Sequence, residues 1–131
     1  MYSISLQRDF QSEHFLIGGD WGPENELHAH TYRAILILRG DTLNEHGYLV
    51  DLVDVQDQLD NLIDAFEGRV LNNLPPFNNL NPSLEHFARI MARRLASQLD
   101  APNVIQIEIQ LWENELAWAS FQCDLPCKSD W

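Results

Sequence analysis

The spacing of apolar residues changes period twice along this chain, and the order of those changes limits the folds open to it. Residues 1–16 mix Tyr, Ile, Leu and Phe with polar residues in rough alternation, and Leu27 to Arg39 is a longer stretch rich in β-favouring residues. From Leu52 to Leu99 the apolar residues recur at steps of three and four. After Pro102 the alternation returns, with Ile105, Ile107, Ile109 and Leu111 set between Gln106, Glu108, Gln110 and Trp112. Alternation lines one face of a strand, whereas steps of three and four line one face of a helix. Strands, then helices, then strands are therefore expected.

The breaks fall where this order needs them. Gly18-Gly19-Asp20 and Trp21-Gly22-Pro23 separate the first strand from the second. Turn signals at Gly40-Asp41 and Asn44–Gly47 follow, and Gly47-Tyr48-Leu49-Val50 reads as the returning strand of a hairpin. The first helix carries Leu52, Val55, Leu59, Leu62, Ile63 and Phe66, with Asp54, Asp57, Asp60 and Asp64 between them, and is expected to end near Gly68. Pro75-Pro76 and Asn78-Asn79 mark a loop, and Asn81-Pro82-Ser83 opens a second helix. Its stripe is Leu84, Phe87, Ala88, Met91, Leu95 and Leu99, with Arg93 and Arg94 in later turns, where the helix dipole favours cations. A tight turn near Glu113-Asn114 leads to a last strand from Leu116 to Gln122. The order β-β-α-α-β-β describes an α+β fold, an antiparallel sheet with two helices on one face. The 131 residues make one domain, 1–131.

Charge narrows the partners. Twenty acidic residues against eight basic ones give a formal net charge of -12, and the seven arginines and Lys128 form no cluster. Nucleic acid and anionic membrane surfaces are both disfavoured by that field. The longest apolar run, Ala34 to Leu38, is far short of the roughly 18 residues that cross a bilayer. Met1-Tyr2-Ser3-Ile4-Ser5 shows no basic region followed by an apolar stretch, so no secretory signal is read there. Cys123 and Cys127 allow a tail disulfide but no disulfide framework, and no second pair follows to complete a metal site. The expectation is a cytoplasmic protein.

His28-Ala29-His30 opens the second strand, where residues two apart share a face and both imidazoles can converge on one metal ion. His14, near the end of the first strand, is the natural third ligand. Three histidines with an open fourth position make a catalytic rather than structural zinc site. The alternative is three strand histidines with solvated or satisfied rings. Glu113 continues the parity of the apolar row from Ile105 to Leu111, so it either lies in water at a frayed strand end or points into a pocket. Ser83 and Glu85 fit helix capping and dipole complementarity.

Six segments in order resemble the 6-pyruvoyl-tetrahydropterin synthase and 6-carboxy-tetrahydropterin synthase family. They are Phe10-Gln11-Ser12-Glu13-His14, Leu27-His28-Ala29-His30-Thr31-Tyr32, Gly47-Tyr48-Leu49-Val50-Asp51-Leu52, Leu71-Asn72, Pro82-Ser83-Leu84-Glu85-His86-Phe87-Ala88 and Trp112-Glu113. The resemblance spans Phe10 to about Phe121. It implies a T-fold, a four-stranded antiparallel sheet with two helices that assembles as a trimeric barrel, hence a homotrimer or homohexamer with active sites at subunit interfaces. It further implies Zn²⁺ on His14, His28 and His30, and a small-molecule pterin substrate. Glu113 would hold the pterin's guanidine-like edge through two parallel hydrogen bonds, and Ser83 joins it as a substrate-binding residue at the matching helix start.

The departures from the family pattern bear on activity. The family's catalytic Cys lies four residues before the first His of the HxH segment, and Glu24 stands there. Glu67-Gly68 stands where the family has Asp-His, so the His that assists proton transfer is missing and Glu67 is the remaining acid–base candidate. Thiolate and imidazole are bases poised nearer neutral pH than a carboxylate, so the standard elimination should be weakened or changed. A glutamate at the cysteine position resembles a branch of the family that cleaves the side chain to 6-hydroxymethyl-dihydropterin for folate synthesis. The resemblance thus implies a zinc-dependent pterin lyase with Glu24 as base, Glu26 being a less favoured substitute. The other reading is a member that keeps zinc and a pterin pocket as a binding or regulatory module.

Overall fold

In the computed structural model, which describes Met1–Trp131, the two long strands β1 (Tyr2–His14) and β2 (His28–Gly40) pair antiparallel along all 13 residues. Tyr2 faces Gly40 at one end of this ribbon and His14 faces His28 at the other. The strands β3 (Gln106–Trp112) and β4 (Trp118–Asp124) are only 7 residues each. β3 lies antiparallel against the later part of β2, from Arg33 opposite Trp112 to Arg39 opposite Gln106, and β4 completes the order β1-β2-β3-β4. Residues 28–32 of β2 therefore have β1 on one side and no strand on the other. The histidine end of the ribbon is a two-stranded overhang.

Two helices cover one face of this sheet. The first, α1 (Leu52–Asp64), is capped by Asp51, whose carboxylate accepts from the Val53 and Asp54 N–H groups. The second, α2 (Leu84–Gln98), is capped by Ser83, whose hydroxyl accepts from the His86 N–H. Each cap satisfies donors that the first turn of a helix leaves free. Phe10, Tyr32, Leu36, Leu38, Ile107 and Ile109 point from alternate strand positions into one core with Val55, Leu59 and Leu62 of α1 and Phe87, Met91 and Leu95 of α2. Burial of side chains this size stabilises by about 1.5–3 kcal/mol each. Phe87 is the hub, its ring 5.3 Å from Tyr32, 5.9 Å from Phe10, 5.1 Å from Phe66 and 5.5 Å from Phe77.

Expectations shift at the edges of several elements, among them the last strand, which runs Trp118–Asp124 and leaves Leu116 exposed in the bend before it. Gly47–Val50 is not a strand, because β1 and β3 already occupy both edges of β2 where a partner could pair. Asn44 instead closes a loop, its side-chain oxygen accepting from the His46 and Tyr48 N–H groups, with Gly47 at φ +87°. The first helix stops at Asp64, and tight turns carry the chain on to Gly68 while Phe66 stays buried. Ile105 precedes β3 and is exposed, so the buried row begins at Ile107.

The other sheet face is mixed, with Ile35, Ile37, Trp112 and Trp118 set among its polar residues. Glu108 is only 4% exposed there, accepting from Arg39 at 2.7 Å, Gln122 at 3.0 Å and Gln110 at 3.2 Å. Burial opposes its charge, but these hydrogen bonds prevail and hold the carboxyl below its ordinary value. The C-terminal residues fold back over the helices. Asp130 meets Arg89 and Arg93, and Trp131 lies between Phe66 and the Arg94 guanidinium. No helix is long and apolar enough to cross a membrane.

Candidate metal centre

His14 closes β1, and its register partner His28 opens β2, while His30 sits opposite Ser12. All three share the face that runs on to Tyr32 and Phe10. Their ring centroids lie 4.5, 4.8 and 4.9 Å apart, and a ligating nitrogen from each falls within 4.8 Å of the others. The three histidines could hold one metal ion.

Their hydrogen bonds suit that role. His28 Nδ1 is 2.7 Å from the Glu26 carbonyl oxygen, which only accepts, so the ring proton is on Nδ1 and Nε2 carries a free lone pair. That Nε2 is buried and has no hydrogen-bond partner, the state of a nitrogen reserved for a ligand. His14 is buried, with Nδ1 3.1 Å from the Tyr32 hydroxyl. Burial, and then the nearby His30 and His28, push its pKa down to about 4, which keeps the imidazole neutral as ligation requires. His30 Nε2 lies 3.3 Å from Glu113 Oε1. Burial, reinforced by the Glu113 charge, raises the Tyr32 phenol above its ordinary value, so that hydroxyl keeps its proton.

Asparagine side chains tie down the loop that follows His14. Asn72 pairs with the Phe15 backbone in both directions, accepting from its N–H and donating to its carbonyl, each at 2.9 Å. Asn81 accepts from the Ile17 N–H at 2.7 Å. Asn25 ties its loop together, accepting from Trp21 N–H and donating to the Gly19 carbonyl. On the outer edge of β1 the Ser12 hydroxyl donates to the Phe66 and Arg69 carbonyls, and Gly68 N–H donates to the Gln11 carbonyl. Gly68 has φ +70°, a conformation that favours glycine and lets this turn close on the strand. A cavity of about 500 Å³ lies mainly on the opposite sheet face, lined by Asp9, Thr31, Arg33, Ile35 and Trp112, and it reaches the histidine side only through Tyr32 and Glu113.

A model of the 6-pyruvoyl tetrahydropterin synthase family matches residues 3–124. The chain belongs to that family. Its architecture is the T-fold of solved 6-pyruvoyl tetrahydropterin synthases. The Caenorhabditis elegans enzyme is 21% identical, with a TM-score of 0.78 over 95% of this chain and 98% of that one. The Plasmodium falciparum enzyme is 16% identical, with the same TM-score and coverage. Two Plasmodium vivax structures, of variants in which a catalytic glutamate is replaced by cysteine or by alanine, are 16% identical with a TM-score of 0.73 over 95% of this chain and 100% of those. At these identities the structural likeness speaks to the fold alone. No curated protein sequence matches the chain.

Against the synthase family pattern, one chain brings together His14, His28, His30 and Glu113, and leaves the other candidates apart. Glu24 is exposed on a short 3-10 turn, Gly22–Asn25. Glu67 is exposed and lines a second open hollow with Gln11 and Gly68, away from the histidine rings. The Ser83 hydroxyl is engaged as the α2 cap. Two contributors went unassigned in the sequence. Tyr32 shares the parity of His28 and His30, a signal that could have named it; Asn72 acts through tertiary pairing that no spacing reveals.

Proposed function

We propose that this member of the synthase family is a zinc-dependent pterin lyase acting on dihydroneopterin triphosphate or a related pterin. The candidate product is 6-hydroxymethyl-dihydropterin, made in the cytoplasm by a homotrimer or homohexamer. The buried, partnerless Nε2 of His28, set among His14 and His30, carries the reading. Those three residues would hold the ion, and bound zinc would supply Lewis-acid polarisation of substrate oxygens. Glu113 supports pterin binding, since a carboxylate beside the cavity can accept both N–H groups of a guanidine-like edge. Ser83 joins it as a substrate contact by its place in the matching helix start.

Glu24 takes the acid–base role of the family's cysteine, with Glu67 as a second carboxylate. The Plasmodium vivax structures described as variants of a catalytic glutamate support glutamate as a catalytic group on this fold. Exposure of both residues in one chain agrees with a site completed by a second copy, and each edge strand, β1 and β4, has one strand neighbour only. Gly68, standing where the family has His, favours a second reading in which the pocket binds pterins without turnover. Incubation of zinc-loaded protein with dihydroneopterin triphosphate, followed by mass spectrometry, separates the two. A hydroxymethyl pterin supports the lyase, a pyruvoyl or carboxy product redirects it, and intact substrate despite binding supports the second reading.

A further inference from the structure

We propose that Tyr32 is the positioning residue of the metal centre, its hydroxyl fixing which nitrogen of His14 faces the ion. The inference rests on the metal-binding reading above. A neutral imidazole has one N–H, and the nitrogen that keeps it cannot ligate. For His28 the Glu26 carbonyl settles the matter, because a carbonyl can only accept and Nδ1 must hold the proton. His14 has no such carbonyl. Its Nδ1 is 3.1 Å from the Tyr32 hydroxyl, a group able to donate or to accept. When the hydroxyl accepts, Nδ1 keeps the proton and Nε2 is free for metal. When it donates, the proton moves to Nε2 and the third ligand is lost. Tyr32 is thus the point at which His14 is set to bind.

Packing makes that hydroxyl a fixed reference. Tyr32 is 1% exposed, its ring stacked on Phe10 at 5.4 Å and met edge-on by Phe87 at 5.3 Å. It shares a strand face with His28 and His30, so one strand carries two ligands and the group that orients the third. Partners of this kind typically contribute about 10–100-fold to metal affinity.

The test compares Zn²⁺ affinity of the parent and Tyr32→Phe by competition with a chromophoric chelator, together with the Co²⁺ absorption spectrum and the melting temperature of metal-free protein. Phe keeps the ring stacking and removes only the hydroxyl. The expected result is Zn²⁺ affinity lower by about tenfold or more, an altered Co²⁺ spectrum, and a metal-free melting temperature changed by only a few degrees. Affinity within twofold and an unchanged spectrum would overturn the inference while leaving the metal site standing. A parent that binds no Zn²⁺ would overturn both. Should Tyr32→Phe not fold, long-range ¹H–¹⁵N NMR of the Zn²⁺-loaded parent decides: His14 protonated at Nδ1 supports the inference, and metal on Nδ1 overturns it.

Discussion

His30 and Glu113 meet at 3.3 Å although they are not register partners, because Glu113 follows directly on the last residue of β3 just where β2 continues into the overhang. The contact places a carboxylate at the boundary between the histidine cluster and the neighbouring cavity. Glu113→Gln retains the shape and loses one of two acceptors. Pterin affinity is expected to fall at least tenfold while the fold is unchanged, as read by quenching of tryptophan fluorescence. Affinity equal to the parent would remove Glu113 from the pterin site.

His28→Ala is expected to abolish stoichiometric zinc, measured by elemental analysis of protein purified with added metal. The metal-free variant should unfold close to the parent, since the ring it loses carries a buried Nε2 without a partner, a group that costs about 1–3 kcal/mol to desolvate. Undiminished zinc would dismiss the three-histidine centre.

The depressed pKa of His14 gives metal-free protein a defined acid sensitivity. Its ordinary value is 6.5 and its folded value about 4, so between them the unfolded chain binds a proton that the folded chain refuses. The contribution to stability is present above pH 6.5 and is lost progressively as pH falls towards 4. NMR titration should show the His14 imidazole neutral until about pH 4, and a midpoint near 6.5 would contradict its burial.

Glu108→Gln is expected to destabilise by about 1–3 kcal/mol at pH 7, because Arg39 loses its charged partner. The folded-state value of Glu108 is depressed, so its contribution is present above the ordinary 4.5 and disappears as pH falls through the lower folded value. Urea unfolding of parent and variant should therefore differ at neutral pH and converge in acid. A gap that persists in acid would show that the amide is merely a poor fit.

The fold was legible in the sequence because each change of period coincides with a change of element, and the caps at Asp51 and Ser83 stand at the helix starts. Gly47–Val50 misled because Leu49 and Val50 are buried by the core rather than by a sheet. Glu108 shows the limit of parity. Alternation puts it on the face away from the helices, yet three long neighbouring side chains close over it and leave it among the most buried polar residues. At the site, parity paired His28 with His30, but only the strand register brings His14 beside them. Glu24 and Glu67 had family position to recommend them, and neither gains a partner within one chain.

The unequal lengths of the two strand pairs mean that local order along β2 should fall in two tiers. From Arg33 to Arg39 the strand is hydrogen-bonded to neighbours on both sides, whereas residues 28–32 are fastened to β1 alone. Amide exchange should be slowest in the first tier and faster in the second, where the histidines lie. An ion held by His14, His28 and His30 would join the ends of both strands by coordination in the region where backbone pairing is sparsest. Occupancy of the centre would then be readable from the protection of amides that never touch the metal.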